Sequence, residues 1–168
     1  MKTLILRHAK AVPKRLSLSD HDRPLDKVGE EDALHMGKLI KDKDIIPSTI
    51  TSSTALRAKT TAELVAKGCS YQGDIILNQS LYKAKPKDYL AILQTLSDKY
   101  GSVLIVGHNP TVEDTIQMLT ESYDLLAIPP CTLVHFSLPI EKWSDLSSRT
   151  KMEQHKAVLR EIIQSKSR

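Results

Sequence analysis

The sequence is poor in cysteine and in long apolar runs, and both shortages bear on where the protein works. No apolar run approaches the roughly 20 residues that span a bilayer, so we expect no membrane partner. The apolar stretch that follows Met1, Lys2 and Thr3 is too short for the core of a signal peptide. Cys69 and Cys131 lie far apart and in no metal-binding spacing, which favours reduced thiols. Together these shortages predict a cytoplasmic protein.

Aromatic residues are also scarce, and this limits what the basic charge of the chain can mean. A net charge of +4 and an isoelectric point near 9.0 are compatible with nucleic-acid binding. Lysine and arginine are spread along the chain, with some concentration near its C-terminus, and aromatic residues make up only 4%. So few rings leave little material for a platform on which bases stack. We therefore expect no nucleic-acid partner.

Several familiar catalytic motifs are missing. The chain has no Walker A motif, no GxSxG, no HExxH and no paired His/Cys spacing for zinc. The clustered carboxylates that hold a catalytic metal ion are also absent from the predicted strand ends, where Arg and His stand instead. We therefore expect a cationic site that uses neither a metal ion nor another cofactor.

Short apolar runs alternate with helical patterns along most of the chain. The runs that predict buried strands lie at 4–6, 48–52, 75–77 and 103–106. Each is followed by apolar residues at three- and four-residue spacing, the pattern of an amphipathic helix. This alternation predicts an α/β fold, a three-layer αβα sandwich around a mostly parallel sheet. We expect one domain over residues 1–168.

The last part of the chain departs from this alternation. Residues 132–138 are β-branched and aromatic enough to predict a late strand at the edge of the sheet. Helical spacing is shown further on by Val158, Leu159, Ile162 and Ile163. We therefore predict a basic, helical C-terminal segment over 147–168.

Charged and imidazole side chains follow three of the four predicted strands. Arg7 and His8 follow the first strand, Arg57 lies in the first turn after the second, and His108 follows the strongest strand. Ligands bind beyond the carboxyl ends of the strands in open α/β sheets, so these side chains are expected to face one site. Arg57 is informative because a cation in the first helical turn is repelled by the positive end of the helix dipole. An anion bound there would be attracted by both the dipole and the guanidinium, which makes the arrangement favourable. The pattern indicates phosphate chemistry.

The predicted loop at 10–26 is longer than most connections, and long ordered loops are usually functional. Asp20 is the one acid that we retain as a catalytic candidate, and Arg23 is a candidate phosphate contact. Asp22 is interpreted as ordering the loop or pairing with Arg23. The remaining histidines are interpreted as structural or surface residues: His21, His35, His135 and His155.

Three segments carry a family resemblance: Arg-His-Ala at 7–9, the stretch 52–61 around Arg57, and Gly-His-Asn-Pro at 107–110. Their order and spacing resemble the histidine phosphatase superfamily, the phosphoglycerate-mutase-like group. The Ala in the third place of the first motif, the segment 19–25 and the compact length resemble its SixA branch, the phosphohistidine phosphatases. The resemblance runs from Leu4 to about Leu119.

The resemblance implies a role for each residue. His8 would be the nucleophile, forming a phosphohistidine intermediate that water then hydrolyses. Arg7, Arg57 and His108 would bind the phosphoryl oxygens. General chemistry agrees, because phosphoryl transfer needs mainly positioning and charge stabilisation. Nearby cations also lower the pKa of an imidazole, which keeps its attacking nitrogen unprotonated near pH 7.

One absence bears on the substrate. Larger members of the superfamily place a carboxylate general acid after the third strand, whereas residues 75–87 contain no Asp or Glu and Leu81-Tyr82 stands there. An alkoxide leaving group gains about 10²–10⁴-fold from such an acid, whereas imidazole leaves more easily without one. The gap favours phosphohistidine of a protein over a small phosphate ester. A general small-molecule phosphomonoesterase and a non-catalytic phospho-ligand binding module are the alternatives.

Overall fold

The computed structural model describes residues 1–121, 127–147 and 156–165, and in these ranges six strands form one sheet in the order β3-β2-β4-β1-β5-β6. The strands are β1 (Lys2–Arg7), β2 (Thr49–Ser53), β3 (Ile75–Asn78), β4 (Ser102–Gly107), β5 (Thr132–Ser137) and β6 (Val158–Gln164). The α-helices are α1 (Lys27–Asp42), α2 (Leu56–Gly68), α3 (Pro86–Thr95) and α4 (Thr111–Thr120). Short 3₁₀ turns lie at Gln79–Leu81 and Trp143–Ser147. None of the helices in these ranges is long and apolar enough to cross a membrane.

The sheet is parallel in its larger part. β1 pairs with β4, β4 with β2, and β2 with β3, all in parallel, while β5 and β6 are antiparallel additions on the other side of β1. Parallel neighbours need a crossover connection, which the helical segments after each strand supply. Arg7 lies opposite Gly107 in the register of β1 and β4. The His8 N–H donates to the Gly107 carbonyl at 3.0 Å, so His8 and His108 leave the sheet side by side.

Helices cover both faces of the sheet. In β1, Leu4 and Leu6 point into a core shared with α1 and α2, where Met36 and Val65 are among the buried members. Ile5, between them, points into a second core with α3 and α4. Each such aliphatic side chain stabilises the fold by about 1.5–3 kcal/mol when fully buried. The two cores confirm the three-layer αβα architecture with a mostly parallel sheet.

The C-terminal part differs from its prediction. Val158–Gln164 is a strand that pairs with β5, not a helix, so the helical prediction for 147–168 was wrong there. β6 rather than β5 consequently forms the sheet edge on that side. Of the four apolar residues that suggested a helix, only Ile163 is buried, because an edge strand exposes most of its side chains. Residues 148–155 and 166–168 of the predicted segment lie outside the described residues.

Candidate active site

The carboxyl ends of the parallel strands bring four of the predicted site residues together. His8 follows β1, Arg57 lies in the first turn of α2 after β2, and His108 follows β4. Arg57 Nε donates to His8 Nε2 at 3.2 Å, and the rings of His8 and His108 have centroids 5.0 Å apart. Arg7, the last residue of β1, is near enough for its charge to lower the pKa of His8. The four side chains therefore form one cluster of cations and imidazoles.

The protonation state of His8 follows from its two hydrogen bonds. His8 Nδ1 lies 2.7 Å from the Ala9 carbonyl oxygen, which can only accept, so Nδ1 carries the proton. His8 Nε2 is then unprotonated, and its lone pair accepts a hydrogen bond from Arg57. Burial lowers the pKa of His8 to about 4; the bond to Ala9 opposes this effect, and the charges of Arg57 and Arg7 add to it. At neutral pH His8 is an uncharged imidazole whose Nε2 is available as a nucleophile.

Arg57 is buried and fixed on all sides. It is 5% exposed, and besides its bond to His8 it donates from Nη1 to the Asp20 carbonyl at 2.5 Å and from Nη2 to Asp20 Oδ2 at 3.1 Å. One turn further along α2, the Thr61 hydroxyl donates to the Arg57 carbonyl at 2.6 Å and accepts from the Ala9 N–H at 3.1 Å. Thr61 thereby joins the helix that carries Arg57 to the loop that carries His8.

Asp20 stands beside the cluster as an ionised group. The Tyr82 hydroxyl donates to Asp20 Oδ2 at 3.1 Å, and Arg23 Nε lies 3.5 Å from Asp20 Oδ1. Burial raises the pKa of Asp20, but Arg57, Tyr82 and Arg23 together outweigh it and hold the pKa below its usual value. A carboxylate in this state binds and orients the two arginines, and at neutral pH it holds no proton to give to a leaving group.

The loop that carries Asp20 is held against α2. The His21 carbonyl accepts from the Leu56 N–H at 2.9 Å, and His21 Nε2 lies 3.0 Å from Thr54 Oγ1. Asp22 accepts from the Ser19 hydroxyl at 2.7 Å, a bond that orders the loop. These contacts fix the position of Asp20 relative to the helix that carries Arg57.

Tyr82 and His21 belong to the site although neither was among the predicted site residues. The Tyr82 ring packs edge-on against His108, with centroids 5.9 Å apart, and against His21, with centroids 4.9 Å apart. Tyr82 lies in the segment that we noted only for its lack of acids, and it reaches Asp20 from 62 positions along the chain. Nothing in the local sequence signals such a contact.

His108 is held by a buried serine. His108 Nε2 lies 2.8 Å from the Ser53 hydroxyl, and Ser53 is fully buried at the end of β2. The pKa of His108 is lowered to about 3, mainly by burial; the neighbouring His8 ring and the charge of Arg57 contribute to the lowering, and Asp20 opposes it. A Cβ on Gly107, the residue before it, would lie 1.7 Å from the hydroxyl oxygen of the buried Tyr89, so a larger residue there would have to displace that side chain. The end of β4 thus delivers an uncharged imidazole beside His8.

Arg7 is directed by a backbone carbonyl from a distant part of the chain. Arg7 Nη1 donates to the Ile128 carbonyl oxygen at 2.6 Å. Burial lowers the pKa of Arg7 from its usual value, and the charge of Glu113 opposes that effect. Because the ordinary pKa of arginine lies far above neutral pH, Arg7 stays a cation at neutral pH.

A cleft of about 300 Å³ opens over the cluster. Its lining residues are Asp20, Arg57, Tyr82, Lys83, Ala84, His108, Asn109, Pro110 and Thr111. His8 contacts two of these lining residues, Arg57 and His108. In the ranges 1–121, 127–147 and 156–165, no group of three or more His, Cys, Asp or Glu side chains is arranged to hold a metal ion. The cleft has the size and the charge to bind a phosphoryl group together with part of the molecule to which that group is attached.

Fold and site together define a class: an α/β protein of phosphoglycerate-mutase-like fold with a cationic cleft at the carboxyl ends of its strands. A sequence model described as the histidine phosphatase superfamily (branch 1) matches residues 3–81. A protein from Agrobacterium tumefaciens, proposed to be the phosphohistidine phosphatase SixA, is 30% identical; the match covers 81% of this chain and 90% of that one, with a TM-score of 0.75. The chain belongs to the histidine phosphatase superfamily and is of the SixA type, as its motifs predicted.

Two further comparisons concern the fold and the sequence separately. The protein histidine phosphatase SixA complexed with tungstate has a TM-score of 0.80 over 98% of this chain and 97% of its own, and at 20% identity it shows the shared fold. An uncharacterized chloroplastic protein of Arabidopsis thaliana is 30% identical over 128 residues. That match covers 71% of this chain but only 59% of the plant protein.

Proposed function

We propose that this protein removes the phosphoryl group from phosphohistidine of a protein, through a covalent intermediate on His8 and without a metal ion. The observation that carries the proposal is the state of His8: a buried, uncharged imidazole whose Nε2 lone pair faces Arg57 at the cleft. Membership of a phosphatase family supports the general activity. The similarity to proteins named as SixA supports phosphohistidine as the substrate.

The first step transfers the phosphoryl group to the enzyme. His8 Nε2 attacks phosphorus in line with the bond to the substrate imidazole, and that bond breaks with its electron pair going to the departing nitrogen. The departing imidazole leaves uncharged when its other nitrogen carries a proton. Arg7, Arg57 and His108 surround the position of the phosphoryl oxygens and stabilise the charge they carry in the transition state.

The second step returns His8 to its starting state. Throughout the cycle, His8 Nδ1 keeps its proton and donates it in a hydrogen bond to the Ala9 carbonyl oxygen. The ring of phosphorylated His8 is therefore a cation and a good leaving group. Water attacks the phosphorus atom, the bond to His8 Nε2 breaks with its electron pair returning to that nitrogen, and both protons of the water leave with the inorganic phosphate as H₂PO₄⁻. The lone pair on Nε2 is restored for the next cycle.

Asp20 and Tyr82, the two groups beside His8 and His108 best placed to act as a general acid, are both poor proton donors, which supports phosphohistidine over phosphate esters. Asp20 is held as a carboxylate, and the Tyr82 hydroxyl already donates its proton to Asp20. Burial raises the pKa of Tyr82, and Asp20 raises it further, so this hydroxyl is a weak acid. An alkoxide needs a proton as it leaves, whereas an imidazole protonated on its far nitrogen does not.

Rapid-quench labelling tests the proposal. Mixed with a phosphohistidine-containing protein, the wild-type chain is expected to gain an acid-labile phosphate label and to release inorganic phosphate in the presence of EDTA. His8→Ala is expected to lose the label and at least about 10³-fold in rate. His35→Ala, which removes an exposed imidazole on α1, serves as the control and should match the wild type.

Each competing function has its own result in this experiment. Turnover without any label on His8 would overturn the covalent route. Faster hydrolysis of phosphoserine or a sugar phosphate than of phosphohistidine would establish the general phosphomonoesterase. Binding of inorganic phosphate without turnover of any of these substrates would establish the binding module.

A further inference from the structure

We propose that Glu113 is a positioning residue that sets the place of Arg7 through the peptide groups of Ile128. The inference rests on the proposed function only in giving Arg7 the role of a phosphoryl contact. Glu113 lies in the first turn of α4, and it was not among the residues that the sequence pointed to.

Hydrogen bonds connect Glu113 to Arg7 in two steps. Glu113 Oε1 accepts from the Ile128 N–H at 2.8 Å, and the Ile128 carbonyl accepts from Arg7 Nη1 at 2.6 Å. Asn109 Nδ2 donates both to Glu113 Oε1 at 2.5 Å and to the Ile128 carbonyl at 3.1 Å. Glu113 thus holds one end of Ile128 while the other end holds Arg7.

The Ile128 carbonyl depends on this arrangement because regular structure does not fix it. Ile128 lies between α4 and β5, in neither a helix nor a strand. Its side chain is buried in the core between the sheet and the helices α3 and α4, and its N–H is bonded to Glu113. Without the carboxylate, a largely buried N–H loses its acceptor and the carbonyl that directs Arg7 loses its anchor. A shift of about 1 Å in a phosphate-binding group is enough to slow catalysis about 10²-fold.

The same carboxylate also connects the two sides of the site. Asn109 follows His108 directly, and its side chain spans from Glu113 to the carbonyl that Arg7 uses. The negative charge of Glu113 favours the charged form of the half-buried Arg7. A bond network with one acid at its centre thus sets the spacing between Arg7 and His108.

A second acidic residue in α4 allows the positioning role of Glu113 to be distinguished from a general stabilisation of the helix by negative charge. Asp114 lies in the same first turn and is exposed, so it shares the favourable interaction of a carboxylate with the helix N-terminus. Asp114→Ala therefore removes the same charge from the same turn but leaves the Ile128 contact in place. It is the matched control for Glu113→Ala.

The experiment compares five variants by kcat/KM on a phosphohistidine peptide and by the stabilisation that inorganic phosphate gives against heat. Glu113→Ala is expected to lower kcat/KM about 10- to 100-fold and to weaken phosphate binding, while Asp114→Ala changes both by less than about twofold. Glu113→Gln keeps an acceptor oxygen and should recover to within about threefold of the wild type. In an Arg7→Ala background, Glu113→Ala should have less than about twofold further effect.

The outcomes separate this inference from the proposed function. Equal phosphate binding by Glu113→Ala and Asp114→Ala would overturn the role of Glu113, whatever the substrate is. An undiminished effect of Glu113→Ala in the Arg7→Ala background would also overturn it, because general damage does not depend on Arg7. A wild type that fails to hydrolyse the peptide while Glu113→Ala weakens phosphate binding would refute the proposed function alone. If Glu113→Ala does not fold, Glu113→Asp, which keeps the charge but is one methylene shorter, supplies the same comparison.

Discussion

The parallel part of the sheet and its antiparallel edge differ in both burial and chemistry. β1 and β4 lie at the centre, with helices on both faces, and their carboxyl ends deliver His8 and His108. β6 lies at the edge, and Val158, Leu159 and Ile162 are exposed there. The comparison teaches that strands covered on both faces can place side chains within a few ångströms of one another. We expect substitutions in the two regions to have different kinds of effect.

The largest expected effect comes from the cation at the end of the parallel region. Arg57→Ala removes the donor to His8 Nε2 and the ion pair with Asp20, so we expect kcat/KM to fall about 10³-fold or more. Lys59→Ala removes a half-exposed cation from the same turn and is the control. Steady-state kinetics on a phosphohistidine peptide measure both variants. A loss of less than tenfold in kcat/KM for Arg57→Ala would show that the phosphoryl group does not react beside Arg57.

A smaller difference is expected in stability between the centre and the edge. Ile5 in β1 is 0% exposed between two helical layers, whereas Ile163 in β6 is 6% exposed at the sheet edge. Ile5→Ala should lower the free energy of unfolding by about 4 kcal/mol and Ile163→Ala by about 2 kcal/mol, since the edge can relax around the cavity. Urea denaturation of the two variants gives both values. Equal losses would show that the edge is packed as tightly as the centre.

The smallest expected effect is the response of His8 to mild acid. Its pKa of about 4 lies below the ordinary 6.5, so His8 stays uncharged as the pH falls from 7 to 5.5. The ¹⁵N chemical shifts of the His8 ring should therefore be nearly constant over this range, with His8→Ala used to assign them. Protonation of His8 midway through this pH range would mean that the carboxyl end of β1 is as exposed to solvent as the sheet edge at β6.

The sequence predicted the parallel region well because its signals are strong there. The run Leu4–Leu6 is apolar on both faces, as a doubly covered strand requires, and Arg7 and His8 stop it abruptly. In β6 the adjacent apolar pairs imitate helical spacing, and only the pairing with β5 decides the structure. The hydrophobic pattern does not identify this edge strand because few of its residues are buried.

The same distinction applies within the candidate site. Arg7, His8, Arg57 and His108 were predicted because each stands at a strand end or a helix start that the pattern locates. Other contacts depend on how distant segments meet, and no pattern locates them; these residues are Ser53, Thr61, Tyr82 and Glu113. The sequence thus predicts the groups proposed to contact the phosphoryl group better than the groups that hold them.

The hydrogen bonds of Thr61 determine when the conformational entropy of aligning the site residues is lost. Its one hydroxyl bonds the Ala9 N–H and the Arg57 carbonyl, and the Ala9 carbonyl in turn orients His8. One hydroxyl therefore links the loop of the proposed nucleophile, His8, to the helix that carries Arg57. The conformational entropy of aligning them is lost once, when the chain folds, and not again in each turnover.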